Sequence, residues 1–265
     1  MCGIVGAVSS RNVTPVLLEG LKRLEYRGYD SAGVALVQTG QLQREREVGR
    51  VAELEARLAT RPVIGRLGIA HTRWATHGKP TRYNAHPHLS NASVAVVHNG
   101  IIENHAEQRA FLQGQGYVFH SETDTEVIGH LFHFFYEQTE AKDAAERLLE
   151  ALRATLARLH GAYALGIVHI EHPDVLLCAR MGSPLVIGRG SDEQFIASDP
   201  LALLQVTDRF IYLEEGDYGL IGQESLGLYC LAGDGTTPHR VERPLIRFEH
   251  GDQVADKGEY RHFML

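Results

Sequence analysis

Short apolar runs and helical spacings alternate along the N-terminal part of the chain. Residues 2–8 are apolar and punctuated by glycine, which predicts a strand at the very start. Thr14, followed by a proline, is typical of a helix N-cap, and leucines at helical spacing extend this helix toward Gly28. Residues 32–38 and 42–48 flank a Thr-Gly turn, so they are predicted to form an antiparallel hairpin.

The middle of the chain is predicted to be mainly helical. Residues 51–59 form a short amphipathic helix, and the apolar runs at residues 67–70 and 94–97 are predicted strands. Residues 72–95 are predicted to be mostly loop, and compact domains rarely keep so long a loop without a functional reason. The further predicted helices cover residues 103–113, 124–138 and 142–159.

Short apolar runs separated by turn residues follow Gly161 and predict a β-meander. These runs are residues 162–170, 175–179, 185–188, 195–197, 210–213, 219–221 and 226–231. Hairpins at both ends and helices in the middle favour an α+β fold, with antiparallel sheets covered by helices, over a doubly wound parallel sheet. After about Val241 the sequence becomes charged and loop-like. We therefore predict a folded domain over residues 2–240 and a C-terminal tail or linker over residues 241–265.

The composition is that of an ordinary globular protein with an acidic balance. The 265 residues are 44% hydrophobic and 22% charged, and the formal net charge is −7. No basic run is present in the sequence, so nucleic acid is not an expected partner. No apolar run approaches the roughly 20 residues of a membrane span, and no signal peptide is recognisable. We therefore expect a cytoplasmic protein without a membrane partner.

The three cysteines, Cys2, Cys178 and Cys230, argue against a disulfide scaffold and a Cys-rich zinc site, because no C-x-x-C spacing occurs. Cys178 and Cys230 lie in predicted apolar strands, where packing is the default role. Cys2 is different, because removal of Met1 would leave one residue with both a thiol and a free α-amine. These groups titrate at about 8.5 and about 7.7–8.0, so the amine can activate the thiol. A buried strand cysteine is the structural alternative.

Polar clusters at the ends of the predicted strands are the other candidates for chemistry. Asn99 and Gly100 fit either a tight turn or an oxyanion hole, since amide and backbone N–H groups stabilise tetrahedral intermediates. Arg73 fits either a surface ion pair or a bidentate clamp for a carboxylate. Ser121 and Asp124, at the start of a predicted helix, fit a capping motif.

Histidines in the same region leave a metal site as an alternative. His71, His77, His86 and His88 could converge on zinc. The sequence contains no His-Glu-x-x-His motif, and no cysteine stands at ligand spacing from these residues. The sequence therefore favours thiol chemistry over a zinc hydrolase, and no metal is expected.

Several longer motifs of the sequence resemble one protein family. They are residues 1–6, 24–33, 71–78, 84–88, 98–104, 121–127, 182–188 and 197–199. Together they resemble the glutaminase domains of class II amidotransferases, in the form found in glutamine:fructose-6-phosphate aminotransferases. The resemblance spans essentially the whole chain. A Cys-Gly-Ile start occurs throughout the class, whereas residues 26–33 and 71–78 look specific to the aminotransferase branch.

The resemblance implies an N-terminal-nucleophile (Ntn) hydrolase fold, which is a four-layer αββα sandwich with antiparallel sheets. It also implies hydrolysis of L-glutamine to L-glutamate and ammonia, without a cofactor. Cys2 would attack the side-chain amide with its own α-amine as base and form a γ-glutamyl thioester, which water then hydrolyses. Asn99 and Gly100 would bind the oxyanion. A retained Met1 would block this mechanism.

Further roles and partners follow from the same resemblance. The remaining site residues that it implies are Arg73 for the glutamine α-carboxylate, Asp124 for its α-ammonium group, Trp74 for ammonia passage, Thr76 and His77 in the loop that closes on glutamine, and Arg27 and His86 for positioning. In the family a sugar-phosphate isomerase domain follows, which uses the ammonia to convert fructose 6-phosphate to glucosamine 6-phosphate, and the full-length enzyme is expected to be a homo-oligomer. The present chain resembles the family only as far as the junction, so we expect a fragment that acts as a glutaminase.

Two other hypotheses stay open at this point. The chain could be the glutaminase half of another amidotransferase, such as a phosphoribosylamine-forming or asparagine-forming enzyme, although residues 26–33 weigh against this. It could also be a glutamine sensor that keeps the binding pocket without the reaction.

Overall fold

Strands dominate the computed structural model, which describes residues 2–74, 78–231 and 238–248. The strands are β1 (Gly3–Ser9), β2 (Ser31–Gln38), β3 (Gln41–Val48), β4 (Leu67–Arg73), β5 (His88–Ser90), β6 (Val94–Ile102), β7 (Gly161–His169), β8 (Leu176–Met181), β9 (Val186–Arg189), β10 (Glu193–Ala197), β11 (Arg209–Tyr212), β12 (Asp217–Ile221), β13 (Leu226–Leu231), β14 (Pro238–Val241) and β15 (Leu245–Arg247). The helices are α1 (Thr14–Leu24), α2 (Val51–Thr60), α3 (His105–Gly114), α4 (Thr125–Gln138) and α5 (Ala144–Leu156). Two short 3-10 turns lie at Glu25–Arg27 and Pro200–Ala202.

The strands form two sheets. The first has eight strands in the order β15-β11-β9-β10-β1-β4-β2-β3, and the second has seven in the order β14-β13-β12-β8-β7-β6-β5. Neighbouring strands pair antiparallel throughout both sheets. The predicted α+β architecture with antiparallel sheets is therefore confirmed.

Three apolar clusters define the layers. A cluster that includes Leu17 and Leu54 packs α1 and α2 against the outer face of the first sheet. A second cluster, with Leu131 and Leu152, packs α4 and α5 against the second sheet. A third cluster fills the space between the sheets, so the layer order is α, β, β, α. No helix in the described part of the chain is long and apolar enough to cross a bilayer.

Strand alternation decides which side chains enter the space between the sheets. On β1, Ile4 and Val8 belong to the cluster between the sheets, whereas Val5 and Ala7 belong to the cluster under α1 and α2. Cys2 directly precedes β1, and the alternation of side chains places it on the same face as Ile4. Its position is therefore at one end of the space between the two sheets.

The predicted start of the first helix is wrong in one detail. Thr14 is the first helical residue, and Val13 occupies the cap position without a side-chain hydrogen bond to the helix. The Thr14 backbone N–H donates instead to Asn12 Oδ1 at 3.2 Å, and the Thr14 hydroxyl donates to the Val63 carbonyl oxygen at 2.7 Å. The hydroxyl therefore ties the helix to the segment before β4.

The loop predicted over residues 72–95 is partly strand. β4 continues through Thr72 to Arg73, and residues 88–90 form β5, which pairs with β6. These segments carry His, Thr, Arg and Ser residues that are buried. Buried polar residues broke the apolar pattern on which the prediction depended, so the strand signal was lost.

The predicted meander is wrong in its connectivity, although most of its strands exist. β7, β8, β12 and β13 belong to the second sheet, whereas β9, β10 and β11 belong to the first. Alternation along a strand predicts that one of its faces is buried, but it does not identify the sheet to which the strand belongs.

Part of the predicted tail is paired. β15 pairs with β11 at the edge of the first sheet, and Phe248 packs against the cluster under α1 and α2. The division into residues 2–240 and 241–265 stays a prediction, and residues 249–265 lie outside the described part of the chain.

Candidate active site

Cys2 stands directly before β1, an interior strand of the first sheet. Its Sγ accepts a hydrogen bond from the Trp74 backbone N–H at 3.2 Å and lies 3.5 Å from the Trp74 carbonyl oxygen, to which the thiol donates. The adjacent Gly3 pairs with Thr72 on β4. The register between β1 and β4 therefore places the backbone of Trp74 beside the thiol.

The environment of Cys2 keeps its thiol protonated. Burial raises the pKa of the thiol, although the Trp74 backbone N–H and the Arg73 guanidinium lower it. A base must therefore take the proton before the sulfur can act as a nucleophile. The nitrogen of Cys2 follows Met1 in the sequence, so a free α-amine requires removal of Met1.

Asn99 and Gly100 approach Cys2 from the second sheet. Asn99 Nδ2 donates to the Cys2 carbonyl oxygen at 3.2 Å. Gly100 has a φ of +133°, and a Cβ there would lie 2.0 Å from the Ala162 carbonyl oxygen, so only glycine fits. Both residues pair with β7 inside the sheet, so the tight-turn interpretation is wrong. The pair brings hydrogen-bond donors toward Cys2 from the opposite sheet.

Arg73, the last residue of β4, forms an ion pair that is buried rather than at the surface. The residue is 3% exposed, and its Nη1 lies 3.7 Å from Asp30 Oδ1. The guanidinium also donates to the carbonyl oxygens of Gly78 at 3.1 Å and Lys79 at 3.4 Å. A buried, oriented guanidinium of this kind is suited to bind a carboxylate.

Asp124 lies directly before α4 and does not form the predicted cap with Ser121. Its Oδ2 accepts the Ile102 backbone N–H at 2.8 Å and lies 3.9 Å from His98 Nδ1. Ser121 is bound by Glu126, which accepts from its backbone N–H and from its hydroxyl, each at 2.7 Å. The capping interpretation is therefore wrong, and the Asp124 carboxylate links α4 to the end of β6.

The structure brings most of the predicted site residues around one small cavity. It encloses about 10 Å³, roughly the room of one water molecule. Its lining includes Cys2, Arg73, Trp74, His86, Gly100 and Asp124. Asn99 reaches this site through its bond to Cys2, whereas Arg27 is not among the lining residues. Thr76 and His77 lie outside the described part of the chain.

Larger cavities, of about 670, 630 and 610 Å³, lie away from Cys2. The first is lined by loop residues such as Arg66 and Asp174, and the last lies against α5 near Tyr229. No cysteine lines any of the three. Because Cys2, Arg73, Gly100 and Asp124 converge on the small cavity, the chemistry of its lining rather than its volume identifies the candidate site.

Arg27 binds Asp199 from the 3-10 turn that follows α1. Its Nη2 donates to Asp199 Oδ2 at 2.5 Å, and the Tyr26 hydroxyl donates to the same oxygen at 2.7 Å. The neighbouring Ser198 hydroxyl accepts the Ile4 backbone N–H at 3.1 Å. These contacts join Arg27 to the strand that follows Cys2.

His86 belongs to a directed chain of hydrogen bonds among residues that line the cavity. Burial lowers the pKa of His86 and of His98, so both rings are neutral at pH 7. His98 Nε2 lies 3.3 Å from the Ala162 carbonyl oxygen and must donate to it. Thr125 Oγ1 lies 3.0 Å from His98 Nδ1 and 2.7 Å from His86 Nε2. The hydroxyl therefore donates to His98 and accepts from His86.

The described histidines of the zinc alternative do not have metal-ligand geometry. His71, His86 and His88 bond through their ring nitrogens to different partners. Among the residues that the structure describes, one group of three brings its potential ligand atoms within 4.8 Å of one another, and it is formed by His169, Glu171 and His172. The geometry therefore favours hydrogen-bonding roles for the three histidines, and His77 lies outside the described residues.

Sequence reasoning missed the contacts that support the site. His98 had a visible signal, because it interrupts an otherwise apolar strand. Thr125 looks like any residue at a helix start, and Asp199 is 172 residues from its partner Arg27. Only the fold brings Thr125 and Asp199 to their partners, so no local pattern could have identified these two residues.

The sequence of the chain is similar to those of known amidotransferases and aminotransferases. The family model of the glutamine amidotransferase domain matches residues 71–205. The glutamine–fructose-6-phosphate aminotransferase [isomerizing] of Pseudomonas putida is 57% identical over 266 residues, covering 100% of this chain and 42% of the relative. The protein of the same name from Pseudomonas aeruginosa is 58% identical with the same coverage. The chain thus spans less than half the length of these relatives.

Solved structures of amidotransferases are also similar. Glutamine phosphoribosylpyrophosphate amidotransferase from Bacillus subtilis matches with a TM-score of 0.72 and 25% identity, over 86% of this chain and 49% of that chain. A structure described as the allosteric regulatory enzyme of purine biosynthesis matches with a TM-score of 0.73 and 26% identity, with the same coverage. The expected Ntn hydrolase sandwich is confirmed. With a thiol-centred site, this fold and a family model that matches half of its length, the chain belongs to the glutamine amidotransferase domain family.

Proposed function

We propose that this chain hydrolyses L-glutamine to L-glutamate and ammonia through a γ-glutamyl thioester on Cys2. The observation that carries the proposal is the cavity that Cys2 shares with Gly100, Arg73 and Asp124. A nucleophile, an oxyanion donor, a cation and an anion line one space. These are the groups that an amino acid with a side-chain amide needs for binding and for acyl transfer.

In the first half of the reaction, Cys2 Sγ attacks the amide carbon of the glutamine side chain. The Cys2 α-amine, freed by removal of Met1, takes the thiol proton and passes it to the leaving nitrogen. The carbon–sulfur bond forms, the carbon–nitrogen bond breaks and ammonia leaves. Asn99 Nδ2 and the Gly100 backbone N–H stabilise the oxyanion of the tetrahedral intermediate.

In the second half of the reaction, water attacks the thioester carbon. The α-amine accepts a proton from this water and returns it to the Cys2 sulfur as the carbon–sulfur bond breaks. Glutamate leaves and the free thiol is restored. The groups of the chain itself carry every proton in this scheme, so no cofactor is required.

Recognition of glutamine uses the charged groups of the cavity. Arg73 binds the α-carboxylate and Asp124 the α-ammonium group. The further roles that we propose are closure over glutamine by Thr76 and His77, ammonia passage beside Trp74, and positioning by Arg27 and His86. Because the cavity encloses about 10 Å³, the segments that line it must move apart when glutamine enters.

Within a longer protein, we propose that the ammonia converts fructose 6-phosphate to glucosamine 6-phosphate. The support is the identity of 57–58% to relatives named for the fructose 6-phosphate reaction. Residues 2–240 would form the glutaminase domain, and residues 241–265 would lead toward the sugar isomerase domain. A homo-oligomeric full-length enzyme and a cytoplasmic location remain predictions of the same proposal.

The test is glutamate release by protein from which Met1 has been removed. Cys2→Ala should abolish the release, because no other thiol reaches the cavity among its described lining residues. Cys230→Ala is the matched control, since it removes a partly exposed thiol in the second sheet, and it should retain the wild-type rate. Release that survives Cys2→Ala would overturn the proposal, and glutamine binding without turnover would favour a glutamine sensor.

A further inference from the structure

His71 links the two sheets at the candidate site. It lies on β4 of the first sheet, pairs with Ile4 on β1 and is fully buried. Its Nε2 lies 3.0 Å from the His98 carbonyl oxygen and 3.0 Å from Asn99 Oδ1, both on β6 of the second sheet. The imidazole therefore spans from the sheet of the nucleophile to the sheet of the oxyanion donors.

The two contacts of His71 fix its tautomer. A backbone carbonyl oxygen only accepts hydrogen bonds, so Nε2 facing the His98 carbonyl must carry a hydrogen. Burial lowers the pKa of His71 to about 3, so the ring is neutral at pH 7 and has a single N–H. That N–H points at both acceptors, and Nδ1 carries the lone pair.

The tautomer of His71 in turn fixes the orientation of the Asn99 amide. The atom of Asn99 that faces the imidazole N–H must be its oxygen, because an amide NH2 there would meet another donor. The NH2 group is then directed to the Cys2 carbonyl oxygen, 3.2 Å away. A flipped amide would place donor against donor at His71 and oxygen against oxygen at Cys2.

We propose that His71 is a positioning residue that holds the Asn99 amide with its NH2 group toward the nucleophile. The proposal rests on the proposed glutaminase function, because it assigns a cause to the orientation of one oxyanion donor. His71 does not line the cavity with Cys2, and it acts only through Asn99. Preorganised donors of this kind are effective because they do not have to reorient during the reaction.

An unsatisfied atom of His71 supports a functional reason for the residue. Within the described structure, Nδ1 of His71 is buried without a hydrogen-bond partner. A buried polar atom without a partner costs stability, whereas an aliphatic side chain would continue the pattern of Leu67 and Ile69 on the same face of β4. The one N–H that the ring does use is the one that holds Asn99.

The test measures kcat and KM for glutamine hydrolysis in variants of the full chain without Met1. His71→Leu should lower kcat toward the loss expected for Asn99→Ala, on the order of 10²–10³-fold, with KM nearly unchanged. In the Asn99→Ala background the same His71→Leu change should have little further effect on kcat, because the amide that His71 holds is gone. An equal loss of kcat in both backgrounds, or a wild-type kcat for His71→Leu, would overturn the proposal.

Two amide variants give an independent test that does not depend on the stability of His71→Leu. The N–H of His71→Gln can reach the place of Nε2, whereas the shorter side chain of His71→Asn reaches only the place of Nδ1. The Gln variant should keep most of the kcat and the Asn variant should not, and equal values for the two would contradict the proposal.

A control separates this role from general effects of buried histidines. His169→Gln changes a histidine that is also buried but lies at the far end of β7, and its kcat should be that of the wild type. A loss of kcat in His169→Gln as large as in His71→Leu would contradict a specific role for His71. If the wild-type protein released no glutamate, the proposed function itself would fail. If the wild type is active and the effects of His71→Leu and Asn99→Ala on kcat are independent of each other, only the role of His71 would be overturned.

Discussion

The two ends of the space between the sheets have opposite character, although the same strands build both. On β4, Leu67 and Ile69 belong to the apolar cluster between the sheets, and His71 is the next residue on that face. On β6, Ala95 and Val97 belong to the same cluster, and Asn99 is next. On these two strands one end is therefore aliphatic, and the other end, with His71 and Asn99, is buried but polar.

This difference indicates that the polar end lowers the stability of the fold and has a functional reason. The aliphatic side chains of β4 and β6 remove apolar surface from water. At the polar end, Nδ1 of His71 and Nδ1 of His86 have no hydrogen-bond partner within the described structure. Each such atom costs about 1–3 kcal/mol. A fold selected only for stability would have continued the aliphatic pattern, so the polar end is where we expect the reaction.

The aliphatic end should control stability. Ile69→Ala is expected to lower the free energy of unfolding by about 2–5 kcal/mol, because it removes buried methylene groups and leaves a cavity. The kcat of the folded variant should not change. Urea unfolding followed by fluorescence, with a glutaminase assay under native conditions, measures both quantities. If Ile69→Ala had the stability of the wild type and a lower kcat, the different roles assigned to the two ends would be contradicted.

The polar end should control catalysis. Asn99→Ala is expected to lower kcat about 10²–10³-fold through loss of one oxyanion donor. Val97→Ala is the matched control, since it truncates the preceding residue on the same face of β6, and it should lower stability while kcat stays unchanged. Steady-state kinetics and thermal unfolding of both variants test the comparison, and similar kinetic losses in the two would contradict it.

Arg73 sharpens the comparison along β4, because it stands at the polar end of that strand. Arg73→Lys keeps the charge but loses the planar fork that binds a carboxylate. A hydrogen bond to a charged group contributes about 1.5–3 kcal/mol, so KM for glutamine should rise about 10- to 100-fold with a smaller change in kcat. Arg66→Lys, just before the other end of β4, should leave KM unchanged. An unchanged KM in Arg73→Lys would remove Arg73 from substrate recognition.

The polar end should also make the fold sensitive to acid. Burial lowers the pKa of His71 to about 3, against about 6.5 in an unfolded chain. The unfolded state therefore binds a proton that the folded state does not, and stability falls as the pH decreases below about 6.5. Between pH 7 and pH 5 this residue accounts for about 2 kcal/mol. Urea unfolding at both pH values should show a smaller loss for His71→Gln, and an unchanged loss would contradict the burial of a neutral His71.

Much of the fold could be predicted where the pattern along the chain is strict. The hairpin of β2 and β3 was predicted because both strands flank a Thr-Gly turn, and Gly40 there has a positive φ of 70°. The extension of β4 to Arg73 was missed because His, Thr and Arg do not look buried. The distribution of the C-terminal strands between two sheets was missed because that choice depends on contacts distant in the sequence.

The sequence predicts which residues belong to the candidate site, but it does not predict the contacts that hold these residues in position. Cys2, Asn99 and Arg73 lie at or near the ends of the predicted strands, where a sequence alone marks polar groups as candidates for chemistry. The contact of His71 with Asn99 crosses from one sheet to the other, so only the packing of the sheets reveals it. From the sequence alone, His71 is a candidate zinc ligand within the motif of residues 71–78.

The most direct test of the central claim is covalent labelling of the nucleophile. Protein is treated with the glutamine-mimicking electrophile 6-diazo-5-oxo-L-norleucine, and intact mass and peptide mapping then locate any adduct. The account predicts a chain without Met1 that carries a single adduct on Cys2, and excess glutamine should slow the labelling. An adduct elsewhere in a chain that lacks Met1, or glutamine turnover by a chain that retains Met1, would contradict the account.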